Sequence, residues 1–169
     1  MIKKITMQQA IFMLSNLQKK EAKLKQQFYG SCRDIPLKKD GESVVSQELV
    51  EKNIDRFKEY KILLKDIVNL KKAIHAGNNK VVYEGKTLNE LLIEAKMGRQ
   101  YLNLLEVMIH DSRISLEPNL GVIEYGNPNI EMFEEEIESL DLENKLNELS
   151  QLIEKLNTEV EIEVDLENA

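Results

Sequence analysis

Apolar residues recur at alternating steps of three and four along three stretches of this chain. The clearest stretch runs through Leu88, Leu91, Ala95, Gly98, Leu102, Leu105 and Ile109. A stripe of that period belongs to a helix lying along another helix. Thr87-Leu-Asn-Glu90 has the spacing of a capping box, in which a hydroxyl and a carboxylate satisfy each other's free amides. A helix is therefore predicted from Leu88 to about Ser112. Thr6-Met-Gln-Gln9 has the same spacing. The helix behind it presents Met7, Ala10, Leu14, Leu17, Leu24 and Phe28, with Glu21 as a polar interruption and Gly30 as its expected stop. A second helix is predicted from a Ser46 cap to about His75, a rod roughly 45 Å long. Its seam holds Val50, Phe57, Tyr60, Leu64, Ile67 and Ile74, with Asn53 and Lys71 filling two positions. Ile54, Leu63, Val68 and Leu70 add a second apolar flank, so this helix is expected to touch more than one neighbour.

Between the seams the period changes. Gly30 to Val45 holds Pro36 and Asp40-Gly41 and reads as an irregular connection. Ala76-Gly-Asn-Asn79 is expected to end the second helix. Lys80–Glu84 reads as a short strand closed by Glu84-Gly85. Residues 113–129 are punctuated by Pro118, Gly121, Gly126 and Pro128, with a possible strand at Leu120–Tyr125. Beyond them, Phe133, Ile137 and Leu140 share one seam. Leu142, Leu146, Leu149, Ile153, Leu156 and Val160 share another, offset by two, and a helix break near Asp141 is expected. Residues 160–166 alternate strictly, which predicts a strand with one buried face. Its simplest partner is the segment Lys80–Tyr83, where Lys80 would face the tail carboxylates. The fold class that follows is mainly α: a long antiparallel helical hairpin or bundle with heptad seams and a small β element, strands near 80–84 and 160–166. It reads as a single helical domain over 1–169, with irregular connections at 30–45 and 113–129.

Composition sharpens this picture. Aromatic residues make up 5% of the chain and Trp is absent, which suits long helices better than a sandwich or barrel. Cys32 stands alone, so no disulfide framework exists, and a reducing cytoplasm, that of a host cell for a viral protein, is the expected compartment. Gln8 and Gln9 interrupt the first apolar stretch and no small-residue cleavage pattern follows, so no secretory leader is expected. No run reaches the roughly 18 apolar residues of a membrane span, and no membrane partner is expected. The net charge of −7 conceals a split: residues 1–80 hold 17 Lys and Arg against 9 Asp and Glu, whereas 81–169 hold 6 against 21. Complementary packing of the halves is favoured over nucleic-acid binding, because nearby carboxylates repel phosphates.

Catalytic patterns are missing from the residues. His75 and His110 lack a Cys or a second His at metal-ligand spacing, no Walker or dinucleotide Gly-rich loop occurs, and no nucleophile elbow exists. His110 and Asp111 are adjacent and project about 100° apart on a helix. Consecutive Glu134-Glu135-Glu136 spread around a helix and read as a solvated face, not a metal site. Neither an enzyme nor a cofactor is expected. If subunits pack around the β tip, Tyr29, Arg33, Asn78, Asn79, Lys80, Tyr83 and Arg99 are the polar and aromatic groups that could converge on an anion.

The stretches Met7–Leu24, Ile67–Asn79, Thr87–Leu105 and Leu146–Thr158 together resemble an uncharacterised bacterial family often labelled septicolysin-like. That family typically carries Asn-Arg-Thr-Asn after its second helix, where this chain has His75-Ala-Gly-Asn-Asn79. It often has an Arg-Asp pair where this chain has Ala95-Lys96. The resemblance implies a long helical hairpin that self-associates. The leading expectation is a non-catalytic homo-oligomeric binding protein. The alternative is a sequestering protein, of the kind a phage uses in counter-defence, that holds a nucleotide-like anion in pockets at subunit interfaces.

Overall fold

A computed structural model describes residues 2–33, 35, 37–110, 115–117, 123–126 and 128–167. It is mainly α with small antiparallel strand pairs. Where the hydrophobic pattern reads as one domain, residue contacts divide the chain into two compact units, 1–80 with 157–169, and 81–156.

The first unit opens with β1 (Ile2–Thr6), which turns directly into α1 (Met7–Cys32). The expected capping box forms: Gln9 N donates to Thr6 Oγ1 at 3.1 Å, and Thr6 N donates to Gln9 Oε1 at 3.0 Å. Gly30 does not stop α1, which runs on to Cys32 with Arg33 as its C-cap. The expected irregular connection contains a small hairpin, β2 (Lys38–Lys39) and β3 (Glu42–Ser43). Asp40 and Gly41 turn it with φ of 53° and 88°, the pair of positive values that matches the twist of adjoining strands. Asp34 and Pro36 lie outside the described residues.

Ser46 Oγ accepts Leu49 N at 3.4 Å at the start of α2 (Gln47–Lys80). This helix is longer than its sequence suggests. Asn78, Asn79 and Lys80 are its last turn, not a loop. Gly77 sits in it for packing: a Cβ there would collide with Met7 Cε and come within 2.8 Å of Ile162 Cγ2. Helices α1 and α2 run antiparallel, as the contacts Met7 to Gly77 at one end and Ser31 to Asn53 at the other establish. Between them Tyr60 Oη donates to Glu21 Oε1 at 2.7 Å, and Lys20 pairs with Glu59 at 2.8 Å. The polar interruption of the α1 seam is thus one half of a cross-helix bond.

The unit closes with β8 (Glu161–Asp165), and here the expected pairing is corrected. β8 joins β1, antiparallel, with Ile5 opposite Ile162 and Ile2 opposite Asp165. It does not join residues 80–83, because Lys80 is helical and the next residues fold on themselves. β1 offers five residues, Lys4 lies opposite Glu163, and its ammonium reaches Glu161 at 2.5 Å. The alternation at 160–166 has its predicted consequence: Ile162, Val164 and Leu166 are buried with Met7, Ala10 and Leu70 in one core, while Leu24, Leu63 and Ile67 form a second.

The second unit begins with the hairpin β4 (Val82–Tyr83) and β5 (Lys86–Thr87), turned by Glu84 and Gly85 at φ 48° and 82°. Helix α3 (Leu88–His110) follows, with Thr87 and Glu90 forming the expected capping box. A short pair follows, β6 (Ser115–Glu117) with β7 (Ile123–Tyr125); Asp111, Pro118, Gly121 and residues 120 and 122 lie outside the described residues. Helices α4 (Ile130–Leu140) and α5 (Leu142–Glu159) break at Asp141, whose left-handed backbone (φ 49°) caps α4. Leu88, Leu91 and Ala95 are buried against Ile153 and Leu156, so the α3 stripe read from sequence is this unit's core. Gly98 lets α5 approach, since a Cβ there would lie 2.6 Å from Leu146 Cδ2.

Candidate interaction surface

Helix α2 carries two stripes, and only one is covered within its unit. Tyr60, Leu63, Ile67, Leu70, Ile74 and Gly77 face α1 and β8 and are buried or half-buried. Val50, Ile54, Phe57, Lys61, Leu64 and Val68 follow the same alternation of four and three about 110° around the helix. Every apolar member of that second stripe is 39% to 49% exposed. The two flanks inferred from sequence therefore both exist, but the residues sort differently: Tyr60 and Ile67 join Leu63 and Leu70 inside, while Ile54 and Val68 join Val50 and Leu64 outside.

At one end this outer stripe widens into an open groove of about 540 Å³, lined by Phe28 and Cys32 of α1 and by Val50, Asn53, Ile54, Phe57 and Lys58 of α2. The Phe28 and Phe57 rings stack with centroids 6.0 Å apart, and the Lys61 ammonium stands 5.6 Å from the Phe57 centroid. Asn53 Nδ2 donates to Ser31 O at 3.0 Å, but its Oδ1 is buried with no hydrogen-bond partner among the described residues. A smaller cleft of about 180 Å³ beside it is lined by Lys25, Phe28, Tyr29, Phe57 and Tyr60.

The residues expected to bind an anion divide between the two units, and those of the first unit lie at opposite ends of its helix pair. Tyr29 and Arg33 are at the α1 end beside the groove, both exposed. Asn78, Asn79 and Lys80 lie at the opposite end of the helix pair, about 38 Å along α2 from Asn53. Asn79 Nδ2 donates to His75 O at 3.0 Å, an ordinary within-helix contact. In the second unit, Tyr83 is on the hairpin and exposed, while Arg99 Nη2 donates to Ser150 Oγ at 2.6 Å, joining α3 to α5. The sequence offered both flanks of α2 but mixed their members, because Lys61 interrupts the outer stripe at its middle.

Among the described residues no group of three or more His, Cys, Asp or Glu side chains could hold a metal ion, and no helix is long and apolar enough to cross a membrane. No protein-family model, curated protein or solved structure matches the chain.

Proposed function

We propose that this protein is a non-catalytic helical binding protein that acts by associating with copies of itself. The observation that carries the reading is the outer stripe of α2, five large apolar side chains at heptad spacing left uncovered within their own unit. Scattered exposed apolar residues are ordinary, but a continuous stripe with a groove at its end marks a protein-contact surface. Helix α3 repeats the theme in the second unit, where Ile93, Met97, Leu104 and Val107 are 41% to 59% exposed along one face. The septicolysin-like resemblance, which implies a self-associating hairpin, points the same way, and a cytoplasmic setting accords with the exposed thiol of Cys32.

The test is molar mass in solution across micromolar concentrations, by light scattering or sedimentation. The wild-type chain is expected to exceed 19.6 kDa, and Ile54→Glu should return it to monomer. Monomer at every concentration refutes the reading.

A second reading, sequestration of a nucleotide-like anion, draws on the cleft beside Tyr29, whose aromatic faces and Lys25 ammonium suit a planar anion. The cleft is smaller than the roughly 300–1,000 Å³ of ordinary ligand sites, so this reading needs a second subunit to complete the pocket. A thermal-shift screen with nucleoside phosphates tests it; a bound ligand at 100-fold over its Kd stabilises by about 2.7 kcal/mol.

A further inference from the structure

We infer that the outer stripe of α2 pairs with the same stripe of a second copy, antiparallel, about a twofold axis beside residue 59; this rests on the proposed self-association and specifies its geometry. The stripe has ends. Gln47 precedes Val50, and Lys71 and His75 follow Val68 at the next heptad positions. Between those polar ends six positions remain, and their midpoint is residue 59.

Turning the stripe end over end about that midpoint places Val50 against Val68, Ile54 against Leu64, and Phe57 against Lys61 of the other copy. Each is a match between the two alternating positions of the heptad, as antiparallel helices require. The central layer decides the direction. A parallel, in-register pair sets Lys61 against Lys61, two ammonium groups in one apolar seam. The antiparallel pair lays each Lys61 over a Phe57 ring, a contact the side chain already makes within its own helix at 5.6 Å. A lysine at a single seam position is a known means of setting register.

The flanking charges agree. Glu51, Lys58 and Lys65 line the edge of the stripe away from α1, and all three are exposed. The antiparallel register brings Glu51 beside Lys65 of the other copy, twice by symmetry. Lys58 falls next to its own counterpart on the axis, but each Lys58 already holds Asp55 at 3.0 Å. Lys65 also pairs with Glu167 of its own chain, so two carboxylates bracket it. The stripe runs about five helical turns in each copy, with the groove at each end, a length suited to clearing the roughly 1,000 Å² that a specific interface requires.

Cross-linking tests the geometry in a Cys32→Ser background with a short bis-maleimide. Lys58→Cys is expected to give covalent dimer. Glu51→Cys and Lys65→Cys should each stay uncross-linked alone, since the thiols would lie about 24 Å and about 18 Å along the axis from their own counterparts. Mixed together they should cross-link. Self-cross-linking of Glu51→Cys or Lys65→Cys would overturn the antiparallel register in favour of a parallel one. A dimer by light scattering with no cross-link in any sample would overturn α2 as the contact while leaving self-association standing. Monomer throughout would overturn both. Glu51→Lys should weaken the dimer about tenfold by like-charge contact, and Glu51→Lys with Lys65→Glu should recover it; failure of the double variant to recover counts against the pairing.

Discussion

Asp66, buried in the middle of α2 at 2% exposure, accepts the backbone amide of Glu167 on Oδ1 at 2.8 Å. One helix face thereby holds the segment that follows β8. Asn69 Nδ2 donates to Asp165 O at 2.9 Å, one turn along, and Lys65 pairs with the Glu167 side chain. These polar contacts set where β8 stops, and the apolar residues Val164 and Leu166 are buried on the way.

Asp66→Ala strips the acceptor from a part-buried amide, which costs about 1–3 kcal/mol. Urea unfolding should show that loss, and amide exchange at residues 161–167 should accelerate before the rest of the first unit. Asp66→Asn keeps an oxygen acceptor and should lose less. Equal exchange rates in wild type and Asp66→Ala would refute the pinning role.

The cap of α3 makes its stability depend on acid. Glu90 is held below the ordinary carboxylate value of 4.5, first by the Thr87 amide at 2.6 Å and next by the Thr87 hydroxyl at 2.8 Å. A depressed folded value means the carboxylate's contribution is complete above pH 4.5 and is lost as pH falls through the lowered value. Protection of the first-turn amides of α3 should therefore fall in that acid window, and Glu90→Gln should flatten the dependence. Thr87→Ala should cost about 1 kcal/mol at neutral pH.

Tyr60 and Tyr101 should titrate late. Tyr60 is raised above 10.0 chiefly by its bond to Glu21, and then by desolvation. Tyr101 is raised by its 2.9 Å bond to Glu136, a contact that ties α3 to α4. A raised folded value stabilises fully below pH 10 and is lost as pH rises through it. Ultraviolet titration of the Tyr101→Phe variant should lose one late step, and adding Glu21→Gln should move the Tyr60 step to lower pH. Persistence of the late step would assign it elsewhere.

The two units have separate cores, so core truncations should act separately. Leu70→Ala, at a fully buried position in the first unit, and Leu91→Ala, 4% exposed in the second, should each cost about 2–5 kcal/mol. Faster exchange is expected within 2–80 and 157–167 for Leu70→Ala, and within 81–156 for Leu91→Ala. If both variants loosen the whole chain equally, the units unfold as one cooperative block.

The sequence by itself determined the helices, both capping boxes, the break near Asp141 and the buried face of the last strand. These are local properties: a heptad period, a hydroxyl three residues before a carboxylate or amide, and alternation along a strand are each written within a dozen residues. The α3 stripe was legible to the residue because every one of its positions, Leu88 to Ile109, is apolar or Gly. Pairing was not legible. Ile2-Lys-Lys-Ile5 is too short to declare itself a strand, and it became one only because α1 returns β1 to the place where α2 holds β8.

The tertiary structure alone decided which apolar flank of α2 is inside. Both flanks satisfy the same period, so hydrophobicity cannot rank them; the close approach at Gly77, the Tyr60–Glu21 bond and the Asp66 anchor choose one for α1 and β8. The other flank is left to water or to a partner, and that remainder is the surface on which the function is proposed to rest.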